Sequence, residues 1–412
     1  MSIYTKISFV RELITHLHRY GTSAGRLESA VNDVTERLGL QAEILASATG
    51  CWLSVDDPDA PGKPITHILR LPVGSVNLGR LADCDRVAYD VAEGRIDAQE
   101  GLDRLRALDR PEGRRRKAIT VLCCGLASMG IPALFAGTGF ADLGSSFLLG
   151  LVTGLMILWG STHWRIGESM EALAAFLVTI LAQAINTFIA PLSLNVVIVA
   201  GLIASMPGLS LTTAIAELSA GALMTGVARF GGSMVSLMKL TFGAVAAVGC
   251  AKILGWNGGG ELLLFDALPP WARIAALSLS ALSFAGLFRA KRRDIVIVAG
   301  SVLLGHFLSV AGQSAAQGLF GTLPVGTFLA ATAITTVSNI YSSVFHRPGA
   351  IIRLPGIIML VPGSIGFKAG QMLWSNNVED GGSMALVAIS TVVAIVAGIL
   401  LGNLLVAARR RL

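Results

Sequence analysis

A series of long apolar runs fills the chain after residue 117 and limits what it can fold into. A helix needs about 20 mostly apolar residues to cross a bilayer. Hydrophobic residues make up 53% of the 412 residues and charged residues 14%, whereas soluble proteins carry about 25% charged residues. The sequence therefore predicts an all-α membrane protein with about ten transmembrane helices. The predicted spans are 118–136, 143–160, 170–189, 194–207 and 232–252, then 272–289, 294–311, 324–345, 350–362 and 384–407.

The first 117 residues differ in composition, with frequent Arg, Asp and Glu. Their apolar periodicity and turn residues predict helices and three short strands in the order helix, helix, strands, helix, helix. We therefore expect residues 1–117 to form a small soluble α+β domain. Met1–Tyr20 has no apolar core, so we expect no signal peptide and a cytoplasmic location for this domain. The predicted elements are Lys6–Arg19, a helix ending near Leu38, Ala42–Ser47, Cys51–Val55, Ile65–Leu71, Leu78–Val91 and Ala98–Leu108.

The positive charges between the spans predict a topology. Basic residues in cytoplasmic loops set the orientation of membrane proteins. With a cytoplasmic start, the basic residues fall in every second loop and after the last span, at Arg165, Arg229, Arg289–Arg293, His346, Arg347, Arg353 and Arg409–Arg411. The acidic residues Glu261 and Asp266 fall in a loop on the other side. Both termini are thus expected on the cytoplasmic side of the membrane.

Five spans in each half reverse the direction of the second half. This predicts two inverted five-helix repeats, residues 118–256 and 271–408, an arrangement found in many secondary transporters. The runs 194–207 and 350–362 are too short for a full crossing and occupy matching places in the two halves. Paired short spans interrupted by Pro and Gly indicate a transporter's binding site.

Each short run ends at a Pro-Gly pair, Pro207-Gly208 or Pro362-Gly363. A helix that starts there would present free amide groups and a positive dipole end, which suit a carboxylate. Ser364 could cap the second of these helices. The charge pattern predicts that the first pair lies at the cytoplasmic face and the second outside.

The segment Leu211–Arg229 follows the first pair and is predicted to be re-entrant or interfacial. Its residues at four-residue spacing, among them Thr213, Glu217 and Arg229, would form one polar ridge on a helix. An ionisable group at membrane depth is costly and usually functional. Glu217 is therefore a candidate partner for a proton or an amino group, although a surface position or a structural pair with Lys239 would also explain it.

Three sets of residues resemble the bacterial threonine/serine exporter family. The first half contains Met206-Pro207-Gly208-Leu209-Ser210-Leu211-Thr212-Thr213-Ala214-Ile215-Ala216-Glu217-Leu218 and Gly226-Val227-Ala228-Arg229. The N-terminal part contains Tyr20-Gly21-Thr22-Ser23 with Arg26 and, later, Val76-Asn77-Leu78, and the second half contains Leu360-Val361-Pro362-Gly363. The similarity covers essentially the whole chain, in the form that fuses both membrane halves.

The resemblance implies export of small hydroxylated amino acids from the cytoplasm, driven by the proton motive force. We expect an antiporter that works by alternating access. The helix starts at Gly208 and Gly363 would bind the substrate carboxylate, Thr212, Thr213 or Asn186 its hydroxyl, and Glu217 would couple protons. The halves are unequal: with Pro207 aligned on Pro362, Thr213 meets Lys368 and Glu217 meets Met372.

Other function classes are less well supported. The chain has no Walker loop, no nucleotide or hydrolase motif, and no zinc-binding Cys spacing. We therefore expect no enzyme activity, cofactor or metal, and no basic surface typical of nucleic-acid binding. Asp83 and Asp85 are interpreted as exposed charges in the first turn of a helix. A passive channel remains an alternative, as does a membrane-anchored enzyme or sensor that acts through the N-terminal domain. The sequence leaves a homo-oligomer open.

Overall fold

The computed structural model describes residues 3–56, 63–109, 113–256, 267–316, 323–345, 347–375 and 377–407. Four sets of residues used in the predictions lie outside the described residues: Glu261 with Asp266, His346, Arg409–Arg411, and residue 408 at the end of the second predicted repeat.

Residues 3–109 form an N-terminal unit of four helices and a small sheet, which confirms the predicted element order. The three strands pair antiparallel in the order β1-β2-β3, with Leu45 opposite Trp52 and Trp52 opposite Ile68. Phe9, Leu13 and other apolar side chains of the first helix are fully buried beneath them. The elements are α1 Ile3–Arg19, α2 Ala24–Arg37, β1 Ala42–Ser47, β2 Gly50–Val55, β3 Ile65–Arg70, α3 Leu78–Ala92 and α4 Ala98–Ala107.

The remainder of the described chain is helical. Among the described residues, nine helices are long and apolar enough to cross a membrane, or ten if one bent pair counts as a span. This confirms a multi-pass, largely helical membrane protein. The helices are α5 Arg114–Gly130, α6 Phe140–Thr162, α7 Trp164–Phe188, α8 Leu194–Leu202, α9 Gly208–Ser219, α10 Leu223–Ile253, α11 Pro270–Leu287, α12 Ile295–Ala316, α13 Val325–Phe345, α14 Ala350–Ile358, α15 Gly363–Trp374 and α16 Val378–Leu405.

The two halves use the same neighbour relations. In the first half α6 packs on α5, α7 and α8, and α10 packs on α7 and α9; in the second half α12 packs on α11, α13 and α14, and α16 on α13 and α15. The leading helices α5 and α11 pack antiparallel: Ser280 Oγ donates to the Ala127 carbonyl at 3.2 Å, while Gly286, later on α11, faces Cys123, earlier on α5.

Equivalent contacts recur 155 residues apart. Gly226 at the start of α10 packs on Leu218, and a Cβ added to it would lie 2.6 Å from Leu218 Cγ. Gly381 at the start of α16 packs on Leu373, and a Cβ added to it would lie 2.8 Å from Leu373 Cγ. Each residue of the second pair lies 155 positions after its counterpart in the first pair, since 381 − 226 and 373 − 218 give the same value. The turn before the last long helix is therefore built alike in both halves.

The short helices α8 and α14 approach the centre of the protein from opposite ends. Each has nine residues, about 14 Å of helix, which is half of a bilayer core. α8 begins at the end far from the N-terminal unit, where the Ser193 amide donates to Asp142 at 2.8 Å. α14 begins at the near end, where Ser338 donates to the Gly349 carbonyl at 2.8 Å.

The two Pro-Gly pairs meet where these helices end. A Cβ on Gly363 would lie 3.2 Å from Gly208 Cα, so the two backbones are in contact. The prediction that the pairs lie on opposite membrane faces is therefore wrong. The charge pattern is compatible with this contact if each short helix forms half of a span and the chain continues through the other half as α9 or α15.

The prediction of a single polar ridge over Leu211–Arg229 is also wrong. α9 is bent by 60° from α8 and ends at Ser219. Gly221 adopts a left-handed backbone conformation, with φ of 83°, which Gly tolerates at the end of a helix. The chain turns there and α10 starts a long crossing at Leu223. Residues 211–219 thus complete a broken span, and Arg229 belongs to the next one.

The N-terminal unit contacts the near end of the membrane helices at two places. At the turn between α9 and α10, Thr225 donates to the Ala46 carbonyl at 3.1 Å. Beyond α11, the Leu78 amide donates to the Phe288 carbonyl at 2.9 Å, and Lys291 pairs with Asp83. Asp83 is therefore part of a contact between the two parts of the protein.

Candidate functional site

A cavity of about 830 Å³ lies between the N-terminal unit and the membrane helices. Its walls come from α2 and α3 on one side and from α9, α13, α14 and α16 on the other. Both membrane halves and the N-terminal unit therefore contribute to one space, which is within the size range of small-molecule sites.

Three of the predicted site residues line this cavity: Thr212, Thr213 and Glu217. All lie on α9, whose Leu209 also lines it, just after the Gly208–Gly363 contact. Thr213 Oγ1 donates to the Leu209 carbonyl at 2.8 Å. Thr212 Oγ1 is buried and has no hydrogen-bond partner among the described residues, so this hydroxyl is available to a ligand.

Glu217 connects the membrane helices to the N-terminal unit. Its side chain is 4% exposed and its carboxylate lies 3.1 Å from Arg229 Nε, as an ion pair across the α9–α10 turn. The same carboxylate accepts the amide of Ala24 at 3.2 Å, at the first turn of α2, where a negative charge is favourable. The alternative partner, Lys239, instead lies 3.7 Å from Glu171.

The other predicted site residues lie apart from the cavity lining. Asn186 Oδ1 accepts the Leu192 amide at 2.8 Å and so closes the loop before α8. Lys368 Nζ lies 5.3 Å from the centre of the Phe135 ring, a cation–π contact near the far end. Pro207, Gly208, Pro362, Gly363 and Ser364 surround the junction of the broken helices.

Two cavity residues were missed as candidates, and one was misinterpreted. Arg353 on α14 and Arg26 on α2 both line the cavity, and Arg26 is half-buried. Asp85, expected to be exposed, is 8% exposed and also lines it. The interpretation of Asp85 as an exposed charge is wrong because the membrane helices and α2 cover this face of α3. No local sequence signal marks such a contact between distant parts of the chain.

The buried carboxyl of Asp85 has no hydrogen-bond partner for Oδ2 in the described part of the chain. Burial raises the pKa of Asp85 to about 6, and the nearby positive charge of Arg26 opposes this shift. A carboxyl group with this pKa can gain or lose a proton near neutral pH.

Asp85→Asn is expected to stabilise the protein at pH 7.5. The folded state holds the Asp85 proton more tightly than the unfolded state, so wild-type stability falls as pH rises from about 4 to 6, whereas an Asn side chain is unaffected. The shift from 3.8 to about 6 corresponds to at most about 3 kcal/mol. Thermal unfolding of both proteins should show a higher melting temperature for Asp85→Asn at pH 7.5 and a smaller difference at pH 4.5. An equal difference at both pH values would contradict the buried-carboxyl explanation.

One group of side chains could hold a metal ion. Ligand atoms of Glu12, His16 and Asp109 lie within 4.8 Å of one another in the N-terminal unit. Asp109 is already paired with Arg19, and two of the three residues are partly or fully exposed. This group is separate from the cavity.

Comparisons with known proteins agree with the membrane architecture. Curated relatives include pheromone-regulated membrane protein 10 from two strains of the yeast Candida albicans, WO-1 and SC5314, each 23% identical over 349 residues. The match covers 82% of this chain but 30% of the relative, so the chain spans less than a third of those proteins. No solved structure matches.

Two family models match successive parts of the chain. A model for threonine/serine exporters matches residues 9–250, and a model described as "Threonine/Serine exporter, ThrE" matches residues 273–405. The first match includes the N-terminal unit and the first membrane half, and the second covers the other half. The members of this family are transporters and not enzymes. The chain thus belongs to the threonine/serine exporter family, in a form that fuses its two parts.

Proposed function

We propose that the protein is a secondary active exporter of small amino acids such as threonine and serine, driven by the proton motive force. The contact between Gly208 and Gly363 carries this proposal. Two broken helices, one from each half, end against each other beside the cavity. Transporters of this class bind their substrates near the bilayer midplane at such helix breaks.

The two membrane halves are proposed to be inverted repeats. The recurring neighbour relations, the offset of 155 residues and the antiparallel packing of α5 on α11 support this relation. A rocking motion of one half against the other would close the cavity at the near end and open a path at the far end. Asn186, Ser364 and Lys368 would contact the substrate along that path.

The end that holds the cavity is proposed to face the bacterial cytoplasm, with both termini on that side of the inner membrane. Basic residues collect at this end: Arg116 donates to the Arg289 carbonyl at 3.3 Å, and Lys291 pairs with Asp83. Such clusters favour the cytoplasmic side. The structure would then represent the inward-facing state, in which an exporter collects its substrate.

Within this scheme Thr212 and Thr213 contact the substrate, and the N-terminal ends of α9 and α15 favour its carboxylate. Glu217 is proposed to couple transport to protons. Protonation would remove its charge and weaken both the pair with Arg229 and the bond to the Ala24 amide. A proton could therefore release the N-terminal unit from the α9–α10 turn.

Counterflow in proteoliposomes tests the substrate class. Vesicles loaded with unlabelled amino acid should take up the same labelled amino acid transiently above equilibrium, because a carrier exchanges bound substrates and a passive channel does not. We expect counterflow for threonine and serine and little for large apolar amino acids. Absence of counterflow for every amino acid in a panel would reject the proposed function.

A further inference from the structure

We infer that the cavity contains a two-arginine carboxylate site, formed jointly by Arg26 of the N-terminal unit and Arg353 of the second membrane half. This inference rests on the proposed function for its substrate class, an amino acid. It assigns the N-terminal unit a direct part in substrate binding: the two arginines would receive the carboxylate in the inward-facing state, before it reaches the N-terminal ends of α9 and α15.

The carboxyl group of Asp85 lies near Arg26 and is the acidic group whose charge acts on this pair of arginines. Neither Arg26 nor Arg353 forms an ion pair or a hydrogen bond with any residue in the described ranges, and both line the cavity. They lie close enough for their positive charges to repel each other. Two guanidinium groups in one cavity are costly without an anion and are well suited to binding one, because each group presents a planar fork of N–H donors.

Other charged groups of the cavity are already occupied. Glu217 is paired with Arg229, and Glu28 accepts the Ala46 amide at 2.8 Å. Asp33 also has a partner. Asp85 can therefore balance only one of the two positive charges, and a bound carboxylate would supply the other.

Two buried groups without partners make the site selective for a hydroxylated amino acid. Asp85 Oδ2 can accept a bond from an ammonium group, and Thr212 Oγ1 can bond with a hydroxyl group. Both side chains are more than nine-tenths buried. A buried polar group without a partner costs free energy, which a ligand that completes the bond recovers. A dicarboxylate would fit less well, since its second carboxylate would face Asp85.

The inference predicts a selective loss of carboxylate recognition. Binding of L-threonine to the purified full-length protein is compared with binding of threoninol, which lacks the carboxylate. Arg26→Gln and Arg353→Gln should each weaken threonine binding by about 10- to 100-fold, the usual effect of losing a charged hydrogen bond. Threoninol binding should change little, so the variants lose the preference for threonine. Arg86→Gln, an exposed position on α3, serves as the matched control and should behave like wild type.

Further ligands and variants separate the possible outcomes. If the arginine variants bind threonine and threoninol equally more weakly, the arginines have a structural role and the inference is overturned. It is also overturned if the variants bind threonine as tightly as the wild-type protein does. Asp85→Asn should weaken threonine more than propionate, which has no amino group. A third outcome is that propionate binds the wild-type protein but not the arginine variants, and that no amino acid shows counterflow. In that case the carboxylate site stands and the proposed substrate class fails. If no carboxylate binds the wild-type protein, the inferred site is overturned even where counterflow succeeds.

Discussion

Glu217→Gln is expected to abolish proton-driven export while leaving counterflow measurable. Glutamine mimics the protonated side chain: it can still accept the Ala24 amide, although more weakly than a carboxylate does. It cannot take up or release a proton, and it leaves the Arg229 guanidinium without the carboxylate at 3.1 Å. Counterflow requires exchange of substrate but no net movement of protons. Uptake driven by a pH gradient and counterflow should therefore separate in this variant.

Loss of the buried ion pair between Glu217 and Arg229 also lowers the stability of the protein, so the effect on stability must be separated from the effect on export. Removing one partner of such a pair costs about 3–5 kcal/mol, whereas removing both often costs less. The double variant Glu217→Gln, Arg229→Gln should recover most of the melting temperature lost in the single variant and still fail in gradient-driven export. Glu379→Gln, an exposed position at the start of α16, is the matched control. Full gradient-driven export by Glu217→Gln would remove Glu217 from proton coupling.

Gly363→Val is expected to destabilise the protein and to stop transport. The Cβ of any larger residue at 363 would lie 3.2 Å from Gly208 Cα and 3.4 Å from Gly208 N. These are backbone atoms of the other broken helix, so they cannot move aside as a flexible side chain would. Overpacking of this kind typically costs about 1–3 kcal/mol. The junction of the two halves would be forced apart, with loss of counterflow and a lower melting temperature.

The matched control for this change is Gly300→Val on α12. An added Cβ at Gly300 meets no atom within 4 Å, and the residue lies within a membrane helix like Gly363. Wild-type counterflow is expected there. If Gly363→Val also transported like wild type, the contact between the two broken helices could not be the centre of the mechanism.

Local pattern predicted the elements of this fold well, because helices and strands follow from periodicity and length. The matching Pro-Gly pairs also indicated two interrupted spans. Their meeting point could not be predicted, since residues 208 and 363 are 155 positions apart and their contact depends on how two half-length helices pack. The charge pattern gave the order of the spans but not the depth at which each helix ends.

The candidate site was predicted in part. Thr212, Thr213 and Glu217 line the cavity as expected for one polar segment. Arg26 was missed and Asp85 was misinterpreted because the cavity also uses the surface of the N-terminal unit, which was predicted as a separate soluble domain. Arg353 was missed because it was interpreted only as a topology signal. Asp85 is buried where the N-terminal unit meets the membrane helices. From the sequence alone, a charged residue in the first half of a helix is expected to be exposed.

Accumulation against a gradient tests the central claim, secondary active transport, most directly. Proteoliposomes with an acidic lumen are given labelled L-threonine outside, because an antiporter moves substrate toward the acidic side as protons leave. Threonine should accumulate in the lumen above its external concentration, an uncoupler should collapse this accumulation, and Glu217→Gln should equilibrate only slowly or by exchange. Equilibration to equal concentrations on both sides, unaffected by the pH gradient or the uncoupler, would contradict it and indicate a passive pathway.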